Sequence, residues 1–534
     1  MCIVVAASCF SDEDRVRRPF ALPTEYSRIF ASTQGNKNKV KETDSHGPLD
    51  VTKNLIALER DTDELLLVNS FYMRPLYVAR GKKGVKRVLS EAGGKTFEGL
   101  KALFAGDAGL IQMLRDHRIL IDASLDRERY ERTEIDASIA APRPKSRMSA
   151  FLLVTESCNL GCIYCLNGSG TYLKAPSSLM DPEVAIRSIT ACLDQLSSGG
   201  TLQVTFFGGE PLLNWPLVKE VIRRCEDGLG QAYSDKKIAY HITSNLTVCP
   251  PDLIEVLKKH KMTVLSDIDG PPEIHNRCRP YLSGGASHAR SAETIRRIVD
   301  AGIAVALRAT ITSVNQDCIP EIAAHHKALG ASNCGLVPVC QVNSDRQYLP
   351  DELLPDPDRI IAEVVKVYHS GLWDRQSLFP FNEYVLKLRP GSRQTTGCAA
   401  PSGTTPVIGV NGDVYLCIYL VGQDRFRYGT ISGAWDRRLL DEMTVSLHVD
   451  NLRECSACPW RYACGGGCPV MKLATLYGVE KTPRAVEYGR RINCDFTRAV
   501  LTELLWDVAA KVKERVDTGK RQPEQLPIDR TSFC

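Results

Sequence analysis

The chain has 534 residues, 24% of them charged and 43% hydrophobic, and its formal net charge is +4. This length is too great for one ordinary domain and predicts roughly three to four. The small net charge does not favour nucleic acid as a partner, and no apolar run reaches the roughly 18 residues that a membrane helix needs. The apolar start, Met1 to Phe10, lacks a basic segment and leads into acidic residues, so we expect a cytoplasmic protein without a secretion signal.

The N-terminal part of the chain divides into two segments. Residues 1–48 show no sustained periodicity and are expected to form a partly ordered extension. Residues 49–145 contain three short apolar runs and then three helical stretches, which predicts a small α+β domain. The runs are Asn54–Leu58, Leu65–Asn69 and Arg74–Ala79, and the helices are expected to begin near Lys83, Thr96 and Ala108. A basic, proline-containing linker, 141–145, ends this segment.

Strand and helix patterns alternate through residues 146–385. The predicted strands are Ser149–Thr155, Thr201–Phe207, Lys237–Thr243, Met262–Asp267, Ile303–Ile311 and Cys334–Val339. The helical patterns between them include Glu183–Leu196, Leu217–Cys225 and Ala292–Ala301. Six such β/α units predict an α/β fold with a parallel sheet, in the form of a partial (β/α)6 TIM-like barrel. Ligand chemistry is then expected at the loops that follow the carboxyl ends of the strands.

Helical periodicity fades in residues 386–500, where Gly and Cys become dense. This composition is typical of a region that metal ligands organise around a small apolar core. Residues 501–534 are expected to form a C-terminal helix and tail.

The cysteine content gives the first functional signal. The chain has 20 cysteines, and in a protein without a secretion signal so many are better explained by metal ligation than by disulfides. Ten of them fall into two spaced groups, 158–165 and 398–494, and the others are scattered.

The first group directly follows a predicted strand. Cys158, Cys162 and Cys165 place three thiols within eight residues, in a loop that can surround one four-iron cluster. Such a cluster normally takes four ligands, so one iron would remain open. A zinc site is the alternative, although zinc motifs usually pair two CxxC hooks and this motif stands alone.

The CxxxCxxC spacing, with Tyr164 before the third cysteine, resembles that of the radical S-adenosylmethionine (radical SAM) superfamily. The resemblance implies that Cys158, Cys162 and Cys165 hold a catalytic [4Fe-4S] cluster whose open iron is chelated by S-adenosylmethionine. It also implies that one electron from the cluster cleaves the cofactor and yields a 5'-deoxyadenosyl radical, which removes hydrogen from a substrate.

Further elements resemble the superfamily in the same order along the chain. The segment Gly208, Gly209, Glu210 and Pro211 is similar to the GGEP motif, which binds the cofactor's amino group. By the same resemblance, three polar residues on the next strands are expected near the cofactor: Asn245, Ser266 and Arg308. The stretch from Asp267 through Asp269, Gly270 and His275 to Arg279 and Pro280 is similar to another conserved segment of relatives. This chain has Asp267 where relatives often have Ser. An acidic group beside the cofactor's carboxylate is unfavourable unless Arg308 intervenes.

The second cysteine group resembles the SPASM domain, found in radical SAM enzymes that act on peptides and proteins. The resemblance implies two auxiliary [4Fe-4S] clusters, one held by Cys455, Cys458, Cys464 and Cys494 and the other by Cys398, Cys417 and Cys468. A zinc ribbon is the alternative for Cys455–Cys468. The second auxiliary cluster has only three cysteines, which leaves an iron open unless Cys340 or another side chain closes it.

These resemblances predict a peptide maturase that installs a thioether or carbon-carbon crosslink in a ribosomally made precursor with a leader. Residues 49–145 loosely resemble the winged-helix element that binds such leaders. An external one-electron donor of the flavodoxin or ferredoxin type is expected, and neither nucleic acid nor a membrane is. Two alternatives stay open: an anaerobic sulfatase maturase that forms formylglycine, and a non-catalytic iron-sulfur scaffold. In sulfatase maturases an acidic residue follows the cysteine that matches Cys417, whereas here Ile418 follows it.

Overall fold

A computed structural model describes most of the chain. The described residues are 48–60, 63–78, 81–104, 108–123, 145–165, 179–340, 349–388, 391–431, 435–471 and 482–517, with side chains up to residue 510. They divide into two compact units. One contains the described parts of 131–387 and 394–501, and the other those of 9–130, 388–393 and 502–534.

The unit that contains the N-terminal residues has two small antiparallel sheets. Its strands are β1 (Leu49–Val51), β2 (Leu55–Glu59), β3 (Leu65–Asn69), β4 (Arg74–Val78) and β5 (Leu120–Asp122). Between β4 and β5 lie α1 (Lys82–Glu91), α2 (Phe97–Leu103) and α3 (Ala108–Asp116). Strand β1 pairs with β5, while β3 lies between β2 and β4 and is buried along its whole length. Leucines from β3 and from the three helices share one apolar core.

The other unit is built on a sheet of ten strands within the described residues. Its long strands are β6 (Lys145–Thr155), β7 (Leu196–Gly208), β8 (Lys237–Ser244), β9 (Thr263–Asp267), β10 (Val305–Ile311) and β11 (Asn333–Pro338). Short ones follow: β12 (Leu378–Phe379), β13 (Val407–Ile408), β14 (Asp413–Tyr415) and β15 (Arg427–Thr430). From β6 to β12 all neighbours pair in parallel, in sequence order. The carboxyl ends of these strands therefore share one edge of the sheet, where a ligand site is expected.

Helices follow the parallel strands along the chain. They are α4 (Pro182–Leu193), α5 (Trp215–Arg224), α6 (Gly230–Ala232), α7 (Leu253–Lys259), α8 (Pro272–Cys278), α9 (His288–Asp300), α10 (Ile319–Ala328), α11 (Pro357–His369) and α12 (Phe381–Val385). Helix α4 shows why they begin where they do, because the Asp181 side chain accepts the Glu183 N–H and Pro182 occupies the first turn.

The cysteine-rich C-terminal region joins the same sheet. Strand β13 pairs in parallel with β6 on the side away from β7, and β14 and β15 continue the sheet in antiparallel pairs. The remaining helices are α13 (Arg437–Ser446), α14 (Arg453–Ser456), α15 (Arg461–Cys464), α16 (Pro483–Arg491) and α17 (Thr497–Asp517). Two of these, α14 and α15, have four residues each and both end in or beside a cysteine predicted as a cluster ligand.

The predicted α/β fold with a mostly parallel sheet is confirmed. All six predicted β/α strands are present, with ends that differ by at most five residues. Lys145, predicted to lie in the linker, is instead the first residue of β6, while 1–47 and 141–144 lie outside the described residues. The winged-helix resemblance and the domain boundaries stay predictions. In the part of the chain that the structure describes, no helix has the length and apolar character to cross a membrane.

Candidate functional site at the carboxyl edge of the sheet

The cysteine loop begins three residues after β6 and lies along a second segment of chain. The N–H groups of Gly161 and Ile163 donate to the carbonyls of Pro280 and Cys278, at 2.8 and 3.0 Å. The Leu282 N–H donates in turn to the Asn159 carbonyl at 3.0 Å. The backbone of 278–282 therefore holds the loop in one conformation.

The three thiols of this loop influence one another. Burial raises the pKa of Cys158 to about 11 and raises that of Cys162 further, and the neighbouring thiols add to both shifts. Half-buried thiols that lie near one another and resist ionisation fit a site where iron supplies the compensating positive charge. In the described ranges no three His, Cys, Asp or Glu side chains converge around a point suited to one ion. The thiolates of a cluster each bind a different iron and stand further apart than the ligands of one ion.

Gly208 and Gly209 bring β7 against the chain that leads into the cysteine loop. A Cβ on Gly208 would lie 2.2 Å from the Thr155 carbonyl oxygen, and one on Gly209 would lie 2.2 Å from that of Ser157. Gly208 also has a φ of +145°, which disfavours residues with side chains. Only glycine therefore fits at these two positions.

Glu210 follows this turn and is almost completely buried. Its carboxylate accepts three hydrogen bonds, from the Leu212 N–H (2.9 Å), the Ser244 hydroxyl (2.7 Å) and the Asn245 N–H (2.7 Å). Burial nevertheless outweighs these donors and raises the pKa of Glu210 to about 7. The group is thus a buried carboxyl that a bound cation would favour in its ionised form. The backbone N–H groups of the turn already have acceptors. That of Gly209 donates to the Thr155 carbonyl, and that of Glu210 donates to the Ser157 carbonyl.

Asn245 lies beside the cysteine loop. Its Nδ2 donates to Asn159 Oδ1 at 3.0 Å and lies 3.9 Å from Cys158 Sγ, while its Oδ1 accepts from the N–H and hydroxyl of Thr247. This predicted cofactor residue therefore lies next to the first cysteine of the motif.

The fourth and fifth strands bring Asp267 and Arg308 together, because the two residues are register partners in β9 and β10. Arg308 Nε and Nη2 donate to the two carboxylate oxygens of Asp267, at 2.5 and 2.9 Å. Burial opposes ionisation of Asp267, but Arg308 and Arg279 hold its pKa at about 2. Ser266 is one residue earlier, so the strand's alternation turns its side chain to the other face of the sheet. Its hydroxyl is fully buried and has no hydrogen-bond partner among the described residues.

A buried cluster around Arg279 was not predicted in this form by the sequence. Arg279 Nε donates to Asp269 Oδ2 at 3.0 Å, and its Nη1 lies 3.9 Å from Cys162 Sγ. The Tyr164 hydroxyl donates to the same Asp269 oxygen. Burial raises the pKa of Asp269, against the influence of Arg279. The family-like stretch from Asp267 to Arg279 was the available signal, but the sequence did not show which partners these residues take.

His275, noted only for its place in that stretch, has a supporting role. Its Nδ1 accepts the Asp269 N–H at 3.2 Å, and its Nε2 is 3.1 Å from the Ser287 hydroxyl. Burial, followed by the charge of Arg279, lowers the pKa of His275 to about 2, so the ring is neutral. It therefore holds the loop that carries Asp269.

The C-terminal cysteines belong to tightly packed turns. A Cβ on Gly397, just before Cys398, would lie 2.0 Å from the carbonyl oxygen of Gly467, just before Cys468. The Cys468 N–H donates to Asn493 Oδ1 at 2.8 Å, next to Cys494. These contacts bring the backbones of Cys398, Cys468 and Cys494 close together, although the three cysteines span almost 100 residues of sequence.

Arg498 contacts this second group of cysteines, as Arg279 contacts the first. Arg498 Nη2 donates to Cys458 Sγ at 3.4 Å, and its charge also acts on Cys494. Both cysteines belong to the set of four that the resemblance assigned to one auxiliary cluster. Among the other expected ligands, Cys417 and Cys455 are buried. Cys340, the rival fourth ligand of the other auxiliary cluster, is buried two residues after β11. Burial raises the pKa of Tyr488, and the nearby Cys340 adds to this shift.

Comparison with known families adds a sequence match to this geometry. Residues 152–325 match the family described as the Radical SAM superfamily. The match begins in β6 and ends in α10, so it contains the cysteine loop, the Gly208–Pro211 turn, Asn245, Ser266 and Arg308.

Two curated relatives match over different lengths. A radical SAM cyclopropyl synthase of Paramaledivibacter caminithermalis is 31% identical over 152 residues, which cover 26% of this chain and 30% of the relative. A cysteine-type anaerobic sulfatase-maturating enzyme of Clostridium perfringens is 23% identical over 332 residues, which cover 59% of this chain and 86% of the relative.

Among solved structures, native anSMEcpe with bound AdoMet and Cp18Cys peptide has a similar fold, with a TM-score of 0.55. The alignment covers 68% of this chain and 99% of that one at 18% identity.

Proposed function

We propose that this chain, which carries a radical SAM domain and is a radical SAM enzyme, modifies a ribosomally made peptide by installing a thioether or carbon-carbon crosslink. The family implies one [4Fe-4S] cluster and S-adenosylmethionine. The observation that carries the proposal is the position of a three-thiol loop, the buried carboxyl of Glu210 and the half-buried Arg308 at one edge of the sheet. When bound, the cluster and cofactor supply a 5'-deoxyadenosyl radical that removes hydrogen from the substrate.

The residues around the cysteine loop suit the two ends of an amino acid cofactor. Cys158, Cys162 and Cys165 would hold the cluster, and Glu210 would accept from an N–H of the cofactor's amino group. Arg308 uses Nε and Nη2 to bind Asp267, which leaves Nη1 as a donor for the cofactor's carboxylate. The Gly208–Gly209 turn keeps Glu210 close to the loop because side chains are excluded there.

We propose two auxiliary [4Fe-4S] clusters, held by Cys455, Cys458, Cys464 and Cys494 and by Cys398, Cys417 and Cys468. The contacts among the glycine turns at 397 and 467 support this, since they bring together cysteines from distant parts of the sequence. Seven buried or half-buried thiols in a region of short helices also suit a role in holding that region together.

A peptide substrate is supported by the relatives, one of which matures sulfatases according to its name. The alternative of a sulfatase maturase is weaker here because Ile418, which cannot accept a proton, follows Cys417. A non-catalytic scaffold does not explain why the polar residues Glu210 and Asn245 lie beside the cysteine loop. A low-potential electron donor of the flavodoxin or ferredoxin type would reduce the cluster.

The test begins with anaerobically reconstituted enzyme, reductant and S-adenosylmethionine, with 5'-deoxyadenosine as the measured product. Wild type is expected to release it, and a variant with Cys158, Cys162 and Cys165 replaced by Ala is expected to release none. Co-expression with the small open reading frame next to the gene, followed by mass spectrometry, then tests the peptide. A mass loss of two hydrogens supports a crosslink. Undiminished 5'-deoxyadenosine release by the triple variant would sink the proposal.

A further inference from the structure

Arg279 lies where the cysteine loop meets the carboxylates of the sheet. It caps α8, and its backbone N–H donates to the His275 carbonyl at 2.8 Å. Its own carbonyl accepts from the Ser287 hydroxyl at 2.5 Å. The residues on either side, Cys278 and Pro280, accept the backbone hydrogen bonds of the cysteine loop. The backbone of Arg279 is thus fixed relative to the loop.

The side chain of Arg279 is buried and reaches three groups. Nη1 lies 3.9 Å from Cys162 Sγ, Nε donates to Asp269 at 3.0 Å, and Nη2 lies 3.6 Å from an oxygen of Asp267. Only 7% of the side chain is exposed. The guanidinium centre also lies 5.2 Å from the centre of the Tyr164 ring.

We propose that Arg279 is a positioning residue that sets the reduction potential of the cluster held by Cys158, Cys162 and Cys165. This inference rests on the proposed function, which puts a cluster at these cysteines. A cluster held here would take up one electron from a low-potential donor and would then carry one more negative charge. A buried cation beside a ligand sulfur favours the state that carries the extra negative charge, and hydrogen bonds to sulfur act in the same direction.

The carboxylates next to Arg279 limit its effect on the reduction potential. Asp267 is paired with Arg308, whereas Asp269 is fully buried and has Arg279 as its cationic partner. Asp269 also accepts the Tyr164 hydroxyl through Oδ2 and the Thr310 N–H through Oδ1, so Asn at this position removes the charge and keeps an oxygen acceptor for only one of these two donors. Removing the charge of Arg279 and removing that of Asp269 should therefore shift the potential in opposite directions.

The test is a redox titration of the holoenzyme followed by electron paramagnetic resonance. The signal that changes when S-adenosylmethionine is added identifies the cluster with the open iron. Arg279→Gln is expected to make that cluster harder to reduce, Asp269→Asn to make it easier, and Arg279→Lys to leave it near wild type. Arg498→Gln is the matched control, since Arg498 contacts Cys458, and it should leave this signal unchanged.

The outcomes separate this inference from the proposed function. If wild type shows no signal that responds to S-adenosylmethionine, the proposed function fails and this inference fails with it. If wild type shows the signal but neither Arg279→Gln nor Asp269→Asn shifts its potential, only the inference is overturned. If the Arg279→Gln variant does not hold a cluster, the Asp269→Asn variant tests the inference by itself, because it is expected to make the cluster easier to reduce. A lower cluster content with an unchanged potential in both variants would assign Arg279 a purely structural role.

Discussion

Gly209 shows how closely two loops approach at the site. A methyl group at this position would meet the Ser157 carbonyl oxygen at 2.2 Å, so Gly209→Ala must push the cysteine loop and the Glu210 turn apart. We expect a loss of about 1–3 kcal/mol in unfolding free energy, together with weaker binding of S-adenosylmethionine. Urea unfolding and calorimetry measure the two effects. Gly228→Ala is the control, since no atom lies within 4 Å of its added methyl group. Equal stability of the two variants would contradict the expectation.

Glu210 should make cofactor binding depend on pH. Burial raises its pKa to about 7, so below this pH most of the free protein carries a neutral carboxyl. An amino group that donates to Glu210 favours the ionised carboxylate, and binding below pH 7 must therefore release the proton of the neutral carboxyl. Affinity for S-adenosylmethionine is expected to rise by up to about tenfold per pH unit as the pH approaches 7, and to level off above it. Calorimetry across pH 5–8.5 tests this, and Glu210→Gln should flatten the profile. A slope that Glu210→Gln leaves unchanged would assign the pH dependence to another group.

Asp267 offsets part of the positive charge of Arg308. Because its carboxylate takes two of the Arg308 donors, Asp267 offsets the positive charge that the cofactor's carboxylate would meet. Asp267→Ser, which removes the carboxylate and keeps a hydroxyl, is expected to tighten S-adenosylmethionine binding by about tenfold, or 1.4 kcal/mol. Asp267→Asn should act in the same direction and Arg308→Gln in the opposite one. Weaker binding in both Asp267 variants would mean that the main role of the carboxylate is to orient Arg308.

At the scale of elements, β3 changes the prediction for leader binding. If residues 49–145 bind a leader, an extended peptide could add a strand beside either of two predicted apolar runs, Leu65–Asn69 or Arg74–Ala79. The first is wrong, because β3 lies between β2 and β4 and has no edge. Strand β4 pairs only with β3 among the described residues and is the remaining candidate for an added peptide strand.

Hydrogen exchange can test this edge without any substitution. Adding precursor peptide is expected to slow amide exchange in β4 (Arg74–Val78) while leaving β2 (Leu55–Glu59) unaffected. Strand β2 is a suitable control, since it is the other edge of the same three-stranded sheet. Protection of β2 alone, or of neither strand by a peptide that the enzyme binds, would contradict the expectation.

Length decides which elements the sequence predicts. The six long strands of the barrel were predicted because buried parallel strands are continuous apolar runs bounded by turns. Strands β12 to β15 have two to four residues each, too few for any period to be visible, and their pairing comes from the surrounding fold. The pair β1 and β5 was missed for the same reason, because each has three residues and the two lie about 70 residues apart.

Local motifs gave the candidate site, but its ion pairs depend on distant contacts. Spacing alone suggested Cys158, Cys162 and Cys165 as ligands. The pairing of Asp267 with Arg308 joins residues 41 positions apart and depends on the register of β9 and β10. The contact of Arg279 with Cys162 spans 117 positions. No local pattern contains such information.

For the whole molecule, the main prediction is its iron content. Three four-iron clusters correspond to about 12 irons per chain. Replacing Cys158, Cys162 and Cys165 together by Ala should remove about four of them and leave the auxiliary clusters. Cys192→Ala is the control, since this thiol is buried in α4 and belongs to neither cysteine group. Zinc in place of iron, or only four irons in wild type, would contradict the three-cluster proposal.

Strand β13 has a consequence for hybrid enzymes. Val407 and Ile408 lie beside Phe151 and Leu152 of β6, the strand that leads into the cysteine loop. A chimera that exchanges everything after residue 386 would have to rebuild this pairing with a foreign segment. If the pairing failed, β6 would present an open edge to other chains, which invites aggregation. The parallel strands β6 to β12 and the region through β15 should therefore be transplanted together rather than exchanged separately.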